Sequence, residues 1–210
     1  MSRLVLTADQ IYALAYILDA KYLDYYYISL ANRGNDNKLW LSEITKQLVS
    51  QTVLVEDFSG DTSIDPEIEE IVKPLYFSDK ESSLDINIFG DNEENIGYRF
   101  HFLDDKMTMT KLVEDGFEII DASPDDIQKI VSAILPANYS AESEKANVKF
   151  DAEKVSRVFI VKNIEGNAKS TIATFVETEG VVYEEDTDDI VYSVSGEDFK
   201  DKLCKILTEA

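Results

Sequence analysis

Two stretches of this chain carry one pattern in one register, and any fold must bury both in the same way. From about residue 84 the apolar period changes from 3.6 to 2: Leu84, Ile86 and Ile88 alternate with Asp85, Asn87 and Phe89. Three more short strands follow, over residues 98–103, 107–113 and 117–120. A helix then opens on Ser123-Pro124-Asp125-Asp126. At a constant offset of 72 (195 − 123), Ser123 falls on Ser195, Asp126 on Asp198, Ile127 on Phe199, Val131 on Leu203, Ile134 on Ile206 and Leu135 on Leu207. The strands fall in phase at that offset: Ile86 on Val158, Ile88 on Ile160, Phe100 on Ile172 and Ile119 on Val191. The hairpin tips match too, Glu93 on Glu165 and Asn95 on Asn167. Short turns make each set an antiparallel meander. The pattern predicts two β4α units, residues 84–135 and 155–208, joined by an Ala/Ser/Asn/Glu-rich linker over 136–149 and related by a pseudo-twofold axis. Two similar meanders that obey common rules are the simpler alternative.

Residues 1–80 read as helical. Thr7 and Gln10 form a capping pattern, and Ile11, Leu14, Ala15 and Leu18 recur at helical spacing. That helix is expected to run to about Leu30 and to end in Asn32-Arg33-Gly34-Asn35-Asp36. A second helix fits from about Leu41, with Ile44, Leu48 and Val49 on one face. Residues 57–65 read as a polar loop. Asp65-Pro66 then opens a third helix, an N-cap residue followed by proline at the first helical position. The expected class is α+β, a single domain over 1–210 with N-terminal helices followed by the repeated β-meander/helix units.

Composition narrows the function. Twenty Lys and Arg face 42 Asp and Glu, a net charge of −22. Such a surface repels nucleic acid and anionic lipid and attracts basic protein surfaces. Serving solubility alone is the plainer reading of the charge. The single cysteine, Cys204, excludes an intrachain disulfide and fits a reducing compartment. The first apolar run is too short for a signal peptide, and no stretch is long and uncharged enough to span a membrane. These features predict a cytoplasmic protein with no membrane insertion.

No catalytic constellation emerges, and the chain is expected not to be an enzyme and to need no metal or cofactor. His101 is the only histidine and lies in a strand, so it has no second imidazole for a metal pair and reads as a satisfied structural group. Cys204 follows Leu203 on a C-terminal helix and reads as a partly buried thiol. Residues 57–65 resemble a calcium loop, but Thr62 and Ile68 stand where an EF-hand needs Gly and Glu. Residues 184–189 are the densest acidic run and read as a solvated turn. The aromatic cluster Tyr22, Tyr25, Tyr26 and Tyr27, with Trp40 beyond it, is more informative. Consecutive tyrosines stand about 100° apart on a helix and cannot all enter one core. Two of the four are expected to pack and the others stay open, and aromatics outside a core often anchor protein interfaces.

Taken together, Leu6-Thr7-x-x-Gln10-Ile11-x-x-Leu14, the second helix with its acidic loop, Asp65-Pro66-Glu67-Ile68-x-x-Ile71-Val72-Lys73-Pro74 before the first strand, and the repeated strand-rich half resemble the EspG-like chaperones of type VII secretion systems and their relatives in Gram-positive bacteria beyond the mycobacteria. The resemblance covers nearly the whole chain and is one of pattern, without a signature motif. It implies a cytosolic chaperone or adaptor that binds a secreted substrate near its helical targeting region, keeps it soluble and helps present it to the export machinery. The contact residues expected are Tyr25, Tyr26 and Trp40 from the aromatic cluster. By position they also include Asp91, Glu93, Glu94 and Ile96 in the first hairpin, and Phe199 and Leu203 in the last helix. The competing reading is an acidic immunity protein that neutralises a toxin by direct binding. An enzyme with an unrecognised carboxylate site ranks third.

Overall fold

The structure is a computed structural model that describes residues 4–32, 37–90, 93–135, 144–146, 151–165, 169–185 and 191–209. The chain forms two compact units, residues 1–79 with 101–121 and residues 80–100 with 122–210. The class is α+β.

The first unit opens with strand β1 (Leu4–Leu6) and helix α1 (Ala8–Ile17). Thr7 and Gln10 form the expected reciprocal cap, with Thr7 N donating to Gln10 Oε1 at 3.0 Å and Gln10 N to Thr7 Oγ1 at 3.2 Å. The helix expected to reach residue 30 is instead two. Asp19 takes a left-handed φ of 50°. Asp24 then caps α2 (Tyr25–Leu30) by accepting from Tyr26 N at 2.9 Å. The linking segment is pinned, because the amides of Lys21 and Tyr22 both donate to Tyr76 O at 3.1 Å. A short acidic side chain offers the backbone an alternative to the helical ladder, and Tyr76 holds that alternative in place. Next come α3 (Asn37–Ser50), a two-strand hairpin of β2 (Leu54–Glu56) and β3 (Thr62–Ile64), and α4 (Pro66–Phe77), capped by Asp65 as expected. β1 and this hairpin correct the all-helical reading of residues 1–80. Three-residue strands are too short to show a period, and pairing alone creates them.

Strands β4 (Lys80–Ile88) and β5 (Glu94–Leu103) follow. β4 and the first residues of β5 belong to the second unit, while β5 ends in the first. β6 (Lys106–Val113) and β7 (Gly116–Ala122) return to the first unit, where β7 pairs β1. The core of that unit joins Leu6, Ile11 and Leu14 to Leu48, Leu75 and Phe117. Tyr76 is fully buried, and its hydroxyl donates to Ile11 O at 3.1 Å.

The second unit adds α5 (Pro124–Ile134), β8 (Glu144–Ala146), β9 (Val155–Glu165), β10 (Lys169–Thr178), β11 (Val181–Glu185), β12 (Val191–Val194) and α6 (Gly196–Thr208). Its strands from β4 onward run β4-β9-β10-β11-β12-β8. The pairs β1 with β7, β4 with β9, β2 with β3 and the ladders from β9 to β8 are all antiparallel. β8 lies within the segment expected to be a linker; the rest of that segment is outside the described residues. Helix α6 packs on β4 and β9. Ser82 Oγ donates to Leu207 O at 2.7 Å, and Asn163 Nδ2 donates to Ile206 O at 2.9 Å.

The correspondence at 72 keeps burial in the helices. Ile127 and Phe199 are both buried, as are Val131 and Leu203. It fails in the strands, where Phe100 is 0% exposed but Ile172 is 59% exposed. An offset of 75 (175 − 100) restores the match. Phe100 then falls on Phe175, Leu84 on Phe159 and Ile86 on Val161, all buried. The first hairpin residues fall together as well, Asp104 at φ 55° and Glu179 at φ 52°. The return to 72 lies between these hairpins and the helices, where β6 has eight residues and β11 five. Asn167, the partner expected for Asn95, lies outside the described residues.

Candidate protein-binding surface

The consecutive tyrosines of α2 separate by angle, as a 100° step per residue requires. Tyr27 points inward and is 0% exposed. Its hydroxyl lies 3.1 Å from His101 Nε2 and 2.6 Å from Thr110 Oγ1. Tyr26 is half-buried and sets its ring edge-on to Tyr27 and Phe117, each at 5.8 Å. Tyr25 is 76% exposed, and Tyr22 stands out in the preceding link. So Tyr26 and Tyr27 pack, and Tyr22 and Tyr25 do not.

Trp40 on α3 is half-buried against Tyr12 of α1, with ring centroids 5.8 Å apart. Its Nε1 is buried and has no hydrogen-bond acceptor among the described residues. One turn beyond Tyr12 on the same face, Tyr16 is 73% exposed, and Leu39 and Leu30 are exposed as well. Helix α1 packs against both α2 and α3. The amide of Asn32 donates to Asp9 Oδ1 at 2.6 Å, which ties the end of α2 to the start of α1. The three N-terminal helices therefore expose aromatic and leucine side chains while α1 packs against the other two. Tyr16 and Leu39 escaped the sequence reading, although Tyr12 and Tyr16 form an i, i+4 pair off the Ile11/Leu14 face.

The other expected contact residues fare differently. Glu93 and Glu94 are exposed at the start of β5 and Ile96 is half-buried, while Asp91 lies outside the described residues. Phe199 and Leu203 are corrected: both are fully buried. The Phe199 ring meets Phe159 at 5.1 Å and Phe175 at 4.9 Å, edge to face, and so holds α6 to the strands. An amphipathic terminal helix presents its apolar stripe to its own sheet first.

The groups considered for chemistry are engaged locally. His101 is buried with its Nε2 on Tyr27. Burial raises the Cys204 thiol above its ordinary value, which keeps it protonated. The Asp57 carboxylate accepts from Ser59 Oγ at 2.7 Å and from the amides of Ser59 and Asp61 at 2.8 and 3.0 Å. The Ser59 hydroxyl bond is the main cause holding that carboxyl below its usual value. Among the described residues no three His, Cys, Asp or Glu side chains gather to hold a metal, and no helix is long and apolar enough to cross a membrane.

No protein-family model matches the sequence, and no curated protein matches it. Among solved structures, the fold is similar to that of the Mycobacterium tuberculosis type VII secretion system chaperone EspG5, solved in complex with the PE25-PPE41 dimer. The TM-score is 0.64 at 8% identity, over 100% of this chain and 98% of that one. The chain thus has an EspG-like fold.

Proposed function

We propose that this chain is a cytoplasmic, non-catalytic chaperone or adaptor that binds a secreted protein near its helical targeting region and keeps it soluble for type VII export. It works without a cofactor and hands its cargo to the export machinery, in a Gram-positive host. The observation that carries this reading is the end-to-end likeness of fold to a type VII secretion system chaperone solved in complex with the PE25-PPE41 dimer. The exposed Tyr16, Tyr25 and Leu39 on packed helices add to it, since aromatic anchors on rigid elements supply most of the binding energy in many interfaces. The net charge of −22 favours a second reading, an immunity protein covering a basic toxin.

Affinity purification of the tagged protein from its host, with mass spectrometry of the eluate, tests the proposal. A secreted helical protein at one-to-one stoichiometry is the expected result. Recovery of the protein alone across growth conditions overturns it. A co-eluting toxin whose activity is abolished in the complex selects the immunity reading, because a chaperone that holds the targeting region leaves catalysis intact.

A further inference from the structure

The hairpin of β2 and β3 ends in Asp57-Phe58-Ser59-Gly60-Asp61, and its turn gives a use to every one of these residues but Phe58. Asp57 N donates to Asp61 O at 2.9 Å, and Gly60 N donates to Asp57 O at 3.1 Å. The Asp57 carboxylate accepts from the Ser59 and Asp61 amides and from the Ser59 hydroxyl, which also lies 3.2 Å from Asp61 Oδ2. Gly60 takes a φ of 87°, the left-handed conformation that closes a three-residue hairpin loop. Phe58 makes none of these bonds, and it is fully exposed. A tip whose polar groups already bind one another holds its shape, so a partner that takes up the ring has little to order.

Val55, three residues before Phe58, adds apolar surface: it pairs with Ser63 and is 48% exposed. The next pair, Glu56 and Thr62, lines a groove beside α3 together with Lys38 and Lys46. Successive strand side chains alternate between faces, so Val55 lies on the face of the hairpin opposite those lysines. Glu56, Asp57 and Asp61 are exposed around Phe58, and residues 47–72 contain no lysine, arginine or histidine. An exposed aromatic at a tip fits a protein pocket or a lipid surface. The carboxylates beside it decide for the protein, because an anionic membrane repels them.

We infer that Phe58 is an anchor that enters an apolar pocket on the bound protein, with Val55 against the lip of that pocket and lysine or arginine on the rim that faces Asp57 and Asp61. The inference rests on the reading of the chain as a protein binder. It deepens that reading by naming a contact and the kind of surface the contact needs.

The probe is benzoylphenylalanine, a photo-crosslinking analogue of phenylalanine, carried at position 58 of the full chain in its host. The same group at position 115, an exposed residue of the turn between β6 and β7, is the control. Irradiation is expected to join position 58, and not position 115, to one protein, at apolar residues with lysine or arginine beside them. That protein is then titrated by calorimetry against the purified chain. Phe58→Ala is expected to weaken binding by about tenfold or more, and Phe58→Trp by less than about threefold. Both variants are expected to melt with the parent, because the side chain lies on the surface. Glu56→Gln with Asp61→Asn is expected to weaken binding by about threefold or more. Phosphatidylglycerol vesicles are expected to sediment without the chain. Equal crosslinking from the two positions, or unchanged affinity of Phe58→Ala, overturns the anchor. Unchanged affinity of the carboxylate pair overturns the basic rim. Sedimentation that Phe58→Ala abolishes makes the tip a lipid anchor instead. A crosslink from position 58 to a protein that is never exported leaves the anchor standing and overturns the chaperone reading. A secreted partner recovered without that crosslink does the reverse, and the lack of both overturns both.

Discussion

The Tyr27 hydroxyl lies 3.1 Å from His101 Nε2, and it joins helix α2 to strand β5 inside the first unit. The same oxygen lies 2.6 Å from Thr110 Oγ1 on β6. One hydroxyl thus serves two buried polar groups, on side chains that are at most 2% exposed. Tyr27→Phe leaves both without that oxygen. The expected cost is about 1–3 kcal/mol, the range for removing hydrogen bonds to buried polar groups. Chemical denaturation measures it. An unchanged midpoint means that the bridge contributes nothing.

Gly116 should tolerate no side chain. It takes a φ of 142°, and a Cβ there would stand 2.5 Å from Leu6 O, a backbone atom of β1. Gly116→Ala is expected to displace β1 and to destabilise the fold by more than about 1 kcal/mol. Gly90→Ala gives the comparison: it also has positive φ, at 116°, but a Cβ there meets nothing within 4 Å. Thermal melts of the two variants should place Gly116→Ala clearly lower.

The α5 cap has a signature in acid. Lys129 beside Asp126, with the Ser123 hydroxyl, holds that carboxyl at about 2 against an ordinary 3.8. The folded value lies below the unfolded one. Whatever stability the cap adds is therefore present above pH about 4 and lost as pH falls from about 4 to about 2. Carboxyl resonances followed by NMR across that range should show Asp126 titrating near 2. Lys129→Ala should move it up, and an unshifted resonance in that variant removes the lysine as the cause.

Core and surface aromatics should separate cleanly. Phe199 is buried between Phe159 and Phe175, so Phe199→Ala is expected to cost about 3–5 kcal/mol. Tyr25 is 76% exposed, so Tyr25→Ala should stay within about 0.5 kcal/mol of the parent. In binding the order reverses in kind. Tyr25→Ala is expected to weaken partner capture in a folded protein, by about 1 kcal/mol or more if it anchors the interface. Calorimetry of the captured partner against the variant measures this, and unchanged affinity takes Tyr25 out of the contact.

Much of the fold was legible because capping and period are local. Thr7 and Gln10, Asp65 with Pro66, and Ser195 with Asp198 each announce a helix start within four residues, and the structure places helices there. The change of period near residue 84 marked the strands. The break after α1 was less legible. No residue in 18–24 is a strong helix breaker, and the turn is held by Tyr76 O, some fifty residues away in the chain. The strand offset of 75 was hidden for a related reason: alternation gives the parity of a strand, while the buried parity depends on which face a helix covers.

Sequence alone determined the class of this protein, the starts of α1, α4, α5 and α6, its acidity and the lack of a recognisable catalytic motif. These follow from short-range geometry and from counting. Tertiary structure decided which aromatics are exposed and which are core. Phe199 and Leu203 lie on α6 in a pattern that suits either a partner or a sheet, and the nearest apolar surface, Phe159 and Phe175, claimed them. Tyr25 and Tyr27 share one helix and one side-chain type, yet Tyr27 is buried and Tyr25 is not. A 200° rotation about a helix axis is fixed only once the helix has something to pack against.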